Sequence, residues 1–160
     1  DLSTFGKAMA NGYAIEALVG KEEYMQVMTD KVFLSSTFFP NSDGIVAAIK
    51  TIEILERDHI LDVIAEKGRK RGAKVEKVVA ESGVPVNFTG APWMPYITFK
   101  KDETGRYKQL RTEYYTQLIR RQVFMQPYHH GYICYRHTDE DLAYTVEAIR
   151  ESLAEVKKML

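Results

Sequence analysis

The chain has 160 residues, 45% of them hydrophobic, and 22 lysines and arginines balance 22 aspartates and glutamates. That is enough apolar material for a real core, and it leaves no net basic field to attract nucleic acid or an anionic membrane. The single cysteine, Cys134, permits no internal disulfide and no paired-cysteine zinc motif. With no apolar run of bilayer-spanning length and no signal-peptide layout, the expected setting is a reducing cytoplasm.

In chain order, a short strand leads into a loop around Lys7, and a second strand over 14–19 is closed by Gly20 and followed by a short helix. Helical spacing of Ile45, Ala48, Ile49, Ile52 and Leu55 predicts a helix over 43–57, with Asn41 or Ser42 as N-cap. Leu61, Ile64, Gly68, Val75 and Val79 continue as a second amphipathic pattern, and both apolar faces are expected in the core. Lys67, Arg69, Lys70, Arg71 and Lys74 alternate with Glu66 and Glu76 and read as a solvated face of that second helix.

From Gly83 the pattern turns to strand, over 84–89 and 96–100, around the turn-prone run 90–95. A helix follows around 114–121, then strands over 123–126 and around 132–136. Thr138 with Asp141 three residues on predicts a capping box ahead of a helix with Leu142, Val146, Ile149, Leu153 and Val156 on one face. The expected fold is α/β up to residue 57, then a small α+β domain over 58–160 with helices on one face of a short antiparallel sheet.

Three places carry candidate chemistry. Lys7 stands in Ser3-Thr4-Phe5-Gly6-Lys7-Ala8-Met9-Ala10-Asn11-Gly12-Tyr13, where small residues leave room for a flat ring and Phe5 and Met9 are placed to exclude water. A free amine there can attack an aldehyde, whereas the plain alternative is a solvated loop lysine. Ser36 and Thr37 precede a helix start, where a hydroxyl and unpaired amides suit a phosphate, or simply cap the helix. His129 and His130, adjacent on an extended strand, point in different directions, so no metal site is expected. They read as a capping or core-edge pair or as substrate contacts, and Trp93 as core or as lining of the same mouth.

Thr4-Phe5-Gly6-Lys7, Asn11-Gly12-Tyr13 and Gly20-Lys21-Glu22-Glu23, with the block 33–42 containing Thr37, resemble the class III aminotransferases, and within them the glutamate-1-semialdehyde aminomutase branch. The resemblance implies a fold-type I transferase dependent on pyridoxal 5'-phosphate (PLP). Residues 1–57 would be the C-terminal end of the large cofactor domain, and the chain a C-terminal fragment that is inactive without the N-terminal part of the same enzyme. It implies that Lys7 binds the cofactor as a Schiff base and serves as catalytic base. Thr37, aided by Ser36, would contact the cofactor phosphate of the partner subunit, so a homodimer is expected.

Two departures from the branch stand out: Ser36 where the family tends to have glycine, and histidine near 129–130 where the aminomutases often carry an acid. The implied reaction moves an amino group between small-molecule amines or amino acids and carbonyl compounds. The aminomutase's internal transfer is the nearest alternative, and a non-catalytic dimerisation or assembly module the more distant one.

Overall fold

The structure is a computed structural model describing residues 1–35 and 41–160. It divides into two compact units, Asp1–Ile60 and Leu61–Leu160.

In the first unit β1 (Leu2–Phe5) pairs antiparallel with β2 (Ala17–Gly20), Leu2 opposite Gly20 and Phe5 opposite Ala17. A helix of one turn, α1 (Glu22–Met25), and a 3₁₀ turn over Gln26–Met28 follow. The long helix α2 (Ser42–Arg57) is capped by Asn41, whose side chain accepts from the Asp43 amide at 3.1 Å. Glycine is required near its start. A Cβ on Gly44 would lie 2.9 Å from the Ala14 carbonyl oxygen and 3.2 Å from the Ile15 Cβ, so the helix sits directly on the segment that follows the Lys7 loop.

The apolar face of α2 is not the core face that its periodicity predicts. Ile45, Ile49 and Ile52 are exposed, and only Gly44 and Ala48 are buried. The helix packs mainly against the small Lys7–Ala10 turn, which covers a strip only as wide as Ala48.

The second unit is built on α3 (Ile60–Ser82), whose first residue ends the first unit. The hairpin β3 (Val86–Ala91) and β4 (Met94–Phe99) comes next, then α4 (Tyr107–Arg120) and α5 (Asp139–Lys157). The strands pair with Val86 opposite Phe99 and Ala91 opposite Met94, which leaves Pro92 and Trp93 as a two-residue turn. The predicted turn was wider, and the chain closes more tightly because Gly90 adopts φ 99°.

Residues from one face of the hairpin, Val86, Ile97 and Phe99, meet Val75 and Val78 of α3, Leu110, Tyr114 and Leu118 of α4, and Val146, Ile149, Leu153 and Val156 of α5. This is the expected small α+β arrangement. A Cβ on Gly68 would meet the Pro92 carbonyl oxygen at 2.4 Å and the Trp93 nitrogen at 2.9 Å, so only glycine lets α3 approach the hairpin turn. The expected box at α5 is present: the Thr138 hydroxyl accepts from the Asp141 amide at 3.1 Å and Asp141 accepts from the Thr138 amide at 2.9 Å.

Three expectations need correction here. Helix α4 starts seven residues earlier than the apolar pattern suggests, because the Asp102 carboxylate accepts from the Arg106 and Tyr107 amides and caps it. The strands expected over 123–126 and 132–136 do not form. Gln122 and Tyr128 adopt positive φ, which breaks the extended run, and the second stretch is tied to the hairpin by the bonds Gly131 N to Pro95 O and Ile133 N to Trp93 O without forming a ladder. Finally, the basic run on α3 is not all solvated, since Arg71 is buried and Lys67 donates to the carbonyls of Tyr135 and His137.

Candidate active site

Lys7 opens the 3₁₀ turn Lys7–Ala10 directly after β1. Its φ of 51° is left-handed, a conformation that costs a non-glycine residue about 1 kcal/mol or more. The turn ends on Asn11 at φ 48°, followed by Gly12 at φ 110°. Ala10 is buried and anchors the turn against α2.

Among the described residues the Lys7 amine has no ion pair or hydrogen bond, and it is exposed. Phe5 is 53% exposed and does not exclude water as the sequence suggests. Among the described residues of this unit, α2 packs against the turn and the backbone of Ile15 lies near Gly6. What the chain supplies is therefore a free primary amine on a strained, small-residue turn backed by a helix. Such an amine could hold an aldehyde cofactor, and the small residues around it leave room for one. Ser36 and Thr37 lie outside the described residues.

The other candidates lie in the second unit. His129 and His130 do not diverge as on a strand: they sit on a turn after Tyr128, with ring centroids 4.5 Å apart. His129 Nδ1 lies 2.8 Å from its neighbour's carbonyl oxygen, and His130 Nε2 is 2.7 Å from the Tyr132 hydroxyl. Both histidines line a cavity of about 370 Å³ walled by Phe88, Ile97, Tyr115, Met125 and Ile149. Trp93 is not in its lining; its backbone ties the hairpin turn to Ile133 instead. Among the described residues no group of three or more His, Cys, Asp or Glu side chains is arranged to hold a metal ion.

Two residues of this cavity were missed from sequence. Arg71 and Tyr114 both line it and both are buried. The signal for Arg71 was available: it falls three residues after Gly68 and four before Val75, on the apolar stripe of α3 and off the charged face to which it was assigned. Burial pushes the Tyr114 hydroxyl far above its ordinary range, and that of Tyr115 up to about 12, so both keep their proton.

No helix of the described residues is long and apolar enough to cross a membrane. The family profile described as aminotransferase class-III matches residues 1–155. The chain is 91% identical over all of its 160 residues to a 3-aminobutyryl-CoA aminotransferase of Cloacimonas acidaminovorans, of which it covers 39%. It is 28% identical to a glutamate-1-semialdehyde 2,1-aminomutase of Methanosphaera stadtmanae, with 99% of the chain and 40% of that protein aligned. Among solved structures, the PLP internal aldimine form of the FumI protein from Sphingopyxis sp. MTA144 superposes on 99% of the chain and 37% of its own, with TM-score 0.87 and 27% identity. The chain thus spans about two fifths of the length of the curated relatives it matches. With sequence and fold in agreement from the Lys7 turn through α5, the chain belongs to the class-III aminotransferase family.

Proposed function

We propose that this chain carries the lysine end of a PLP-dependent aminotransferase, and that Lys7 is the residue that bonds the cofactor. The observation that supports it most is the unpaired amine of Lys7 on a left-handed turn braced by α2, in a chain that matches the family from its first residue. The cofactor would supply the electron sink that lets an amino group leave one carbon and join another. Lys7 Nζ would hold the cofactor, give it up to the incoming amine, and then carry a proton between the substrate carbon and the cofactor carbon. Among the described residues no carboxylate pairs with the Lys7 amine, which leaves it free to do both.

The 91% identity to a 3-aminobutyryl-CoA aminotransferase favours transfer between two molecules over internal transfer, and favours a 3-aminobutyryl group as the amine donor. Thr37, with Ser36, is assigned to the cofactor phosphate of the partner subunit in a homodimer, and His129, His130 and Trp93 to the substrate side. The first unit is taken as the end of a cofactor domain and the second as a small domain, in a cytoplasmic enzyme.

Lys7→Ala in the full-length protein tests the assignment. The expected result is loss of covalently held cofactor absorbance and of turnover with an unchanged circular dichroism spectrum. Retained turnover would rule out Lys7 as the anchor. Mixing Lys7→Ala with Thr37→Ala protein should restore part of the activity through mixed dimers, and no recovery at any mixing ratio would remove the shared-site reading of Thr37.

A further inference from the structure

Arg71 is 6% exposed and, among the described residues, has neither a carboxylate partner nor a hydrogen-bond acceptor. A guanidinium carries five N–H donors, and holding it away from water without an anion is among the costlier arrangements in a protein interior. Tyr114, 1% exposed, faces it from α4, and its hydroxyl also has no partner. Both residues line the cavity of about 370 Å³, and no Asp or Glu does. The other residues around it that carry polar side-chain groups are Gln126, Thr145, the tyrosines Tyr96, Tyr115 and Tyr132, and three histidines, His129, His130 and His137. Asp139 borders a smaller cavity that Arg71 also lines, and among the described residues it forms no ion pair with Arg71. A buried hydroxyl without a partner and a largely buried guanidinium without an ion pair, in a hollow without an acid, describe a site lacking its anion.

We propose that this cavity binds a small organic carboxylate. Its two oxygens would accept from the Arg71 guanidinium and the Tyr114 hydroxyl, and its apolar body would lie against Phe88, Ile97 and Ile149. The guanidinium fork matches a planar carboxylate in bidentate fashion, and the neutral tyrosine supplies one further donor. A phosphate dianion would leave charge unmatched against apolar walls, whereas a carboxylate with a hydrocarbon tail uses both halves of the lining. The volume lies in the range of ordinary small-molecule pockets, about 300–1,000 Å³. The site consists of second-unit residues alone and does not depend on the role of Lys7.

The test is calorimetric titration of the full-length, cofactor-loaded protein with 3-phenylpropionate and, separately, with inorganic phosphate. The expected result is binding of 3-phenylpropionate that weakens about tenfold or more in Arg71→Met and by a smaller factor in Tyr114→Phe, as expected for loss of charged and neutral hydrogen-bond donors. Phosphate should bind more weakly than the carboxylate. Tyr114→Phe leaves the shape of the core unchanged and decides the question if Arg71→Met fails to fold. No heat of binding in the wild type, which is also the result if the protein's own polypeptide fills the cavity, would overturn the proposal. So would binding unaffected by either substitution, or phosphate bound more tightly than 3-phenylpropionate.

Discussion

The two units hold their candidate sites by opposite means. In Leu61–Leu160 one continuous core joins all three helices to the hairpin, and the cavity with Arg71 is a hollow in that core. In Asp1–Ile60 the described residues bury little beyond Ala10, Gly44, Ala48 and Ile60, and the Lys7 turn is set by backbone geometry: a left-handed lysine, a left-handed asparagine and close contact with a glycine on α2. A pocket shaped by packing is as strong as its core. A turn shaped by dihedral preference is local, can be altered without unfolding the unit around it, and leaves its functional side chain uncommitted.

The sharpest way to break this contrast is to truncate an apolar side chain in each unit. Leu153→Ala, at a position with no exposure, should destabilise the second unit by about 2–5 kcal/mol in urea unfolding, whereas Ile49→Ala, 54% exposed, should change the stability of the 160-residue chain by about 0.5 kcal/mol or less. Equal effects would mean that α2 is packed far more heavily than its exposure indicates. Next comes Gly68→Ala, which pushes a methyl into the backbone of Pro92 and Trp93; a loss of about 1–3 kcal/mol is expected, and a neutral result would show that α3 and the hairpin turn can separate freely.

Thr138→Ala removes the α5 cap and should cost about 1 kcal/mol. The same cap has a pH signature. The Thr138 amide, and next its hydroxyl, hold the Asp141 carboxyl below its ordinary value of 3.8, so the contribution is complete above that value and fades as the pH falls through the lower, folded one. Asp141→Asn should flatten this acid limb of the stability profile, and an unchanged limb would assign it to other carboxylates. One effect is of opposite sign: Lys7→Gly relieves a φ of 51° and should raise stability by about 0.5–1 kcal/mol while removing the amine. A loss of stability would show that the side chain, and not the dihedral, supports the turn.

Elements governed by local chemistry were legible in the sequence. The caps Asn41 and Thr138, the spans of α2 and α5, and the β3–β4 pairing follow from side-chain hydrogen bonding and periodicity within a few residues of chain. Legibility failed where distant partners decide. The apolar stripe of α2 states that the helix wants a cover, but not which polypeptide provides one. The segment 123–136 has the composition of strands, yet the positive φ at Gln122 and Tyr128 and the anchoring of Gly131 and Ile133 on the hairpin turn fold it back as a loop. Arg71 was assigned by its charge to the outside, when its place on the stripe between Gly68 and Val75 puts it inside. Of the candidate site, the Lys7 motif could be read because it is contiguous in sequence, whereas the Arg71–Tyr114 pair, 43 residues apart, exists only after α3 and α4 have packed.

The most direct measurement is borohydride reduction of the full-length, cofactor-loaded protein followed by peptide mapping. The account predicts a phosphopyridoxyl increment on the peptide that contains Lys7, with nearby Lys21 and Lys31 unmodified. An increment on any other lysine, or a fully loaded enzyme with none on Lys7, would contradict it.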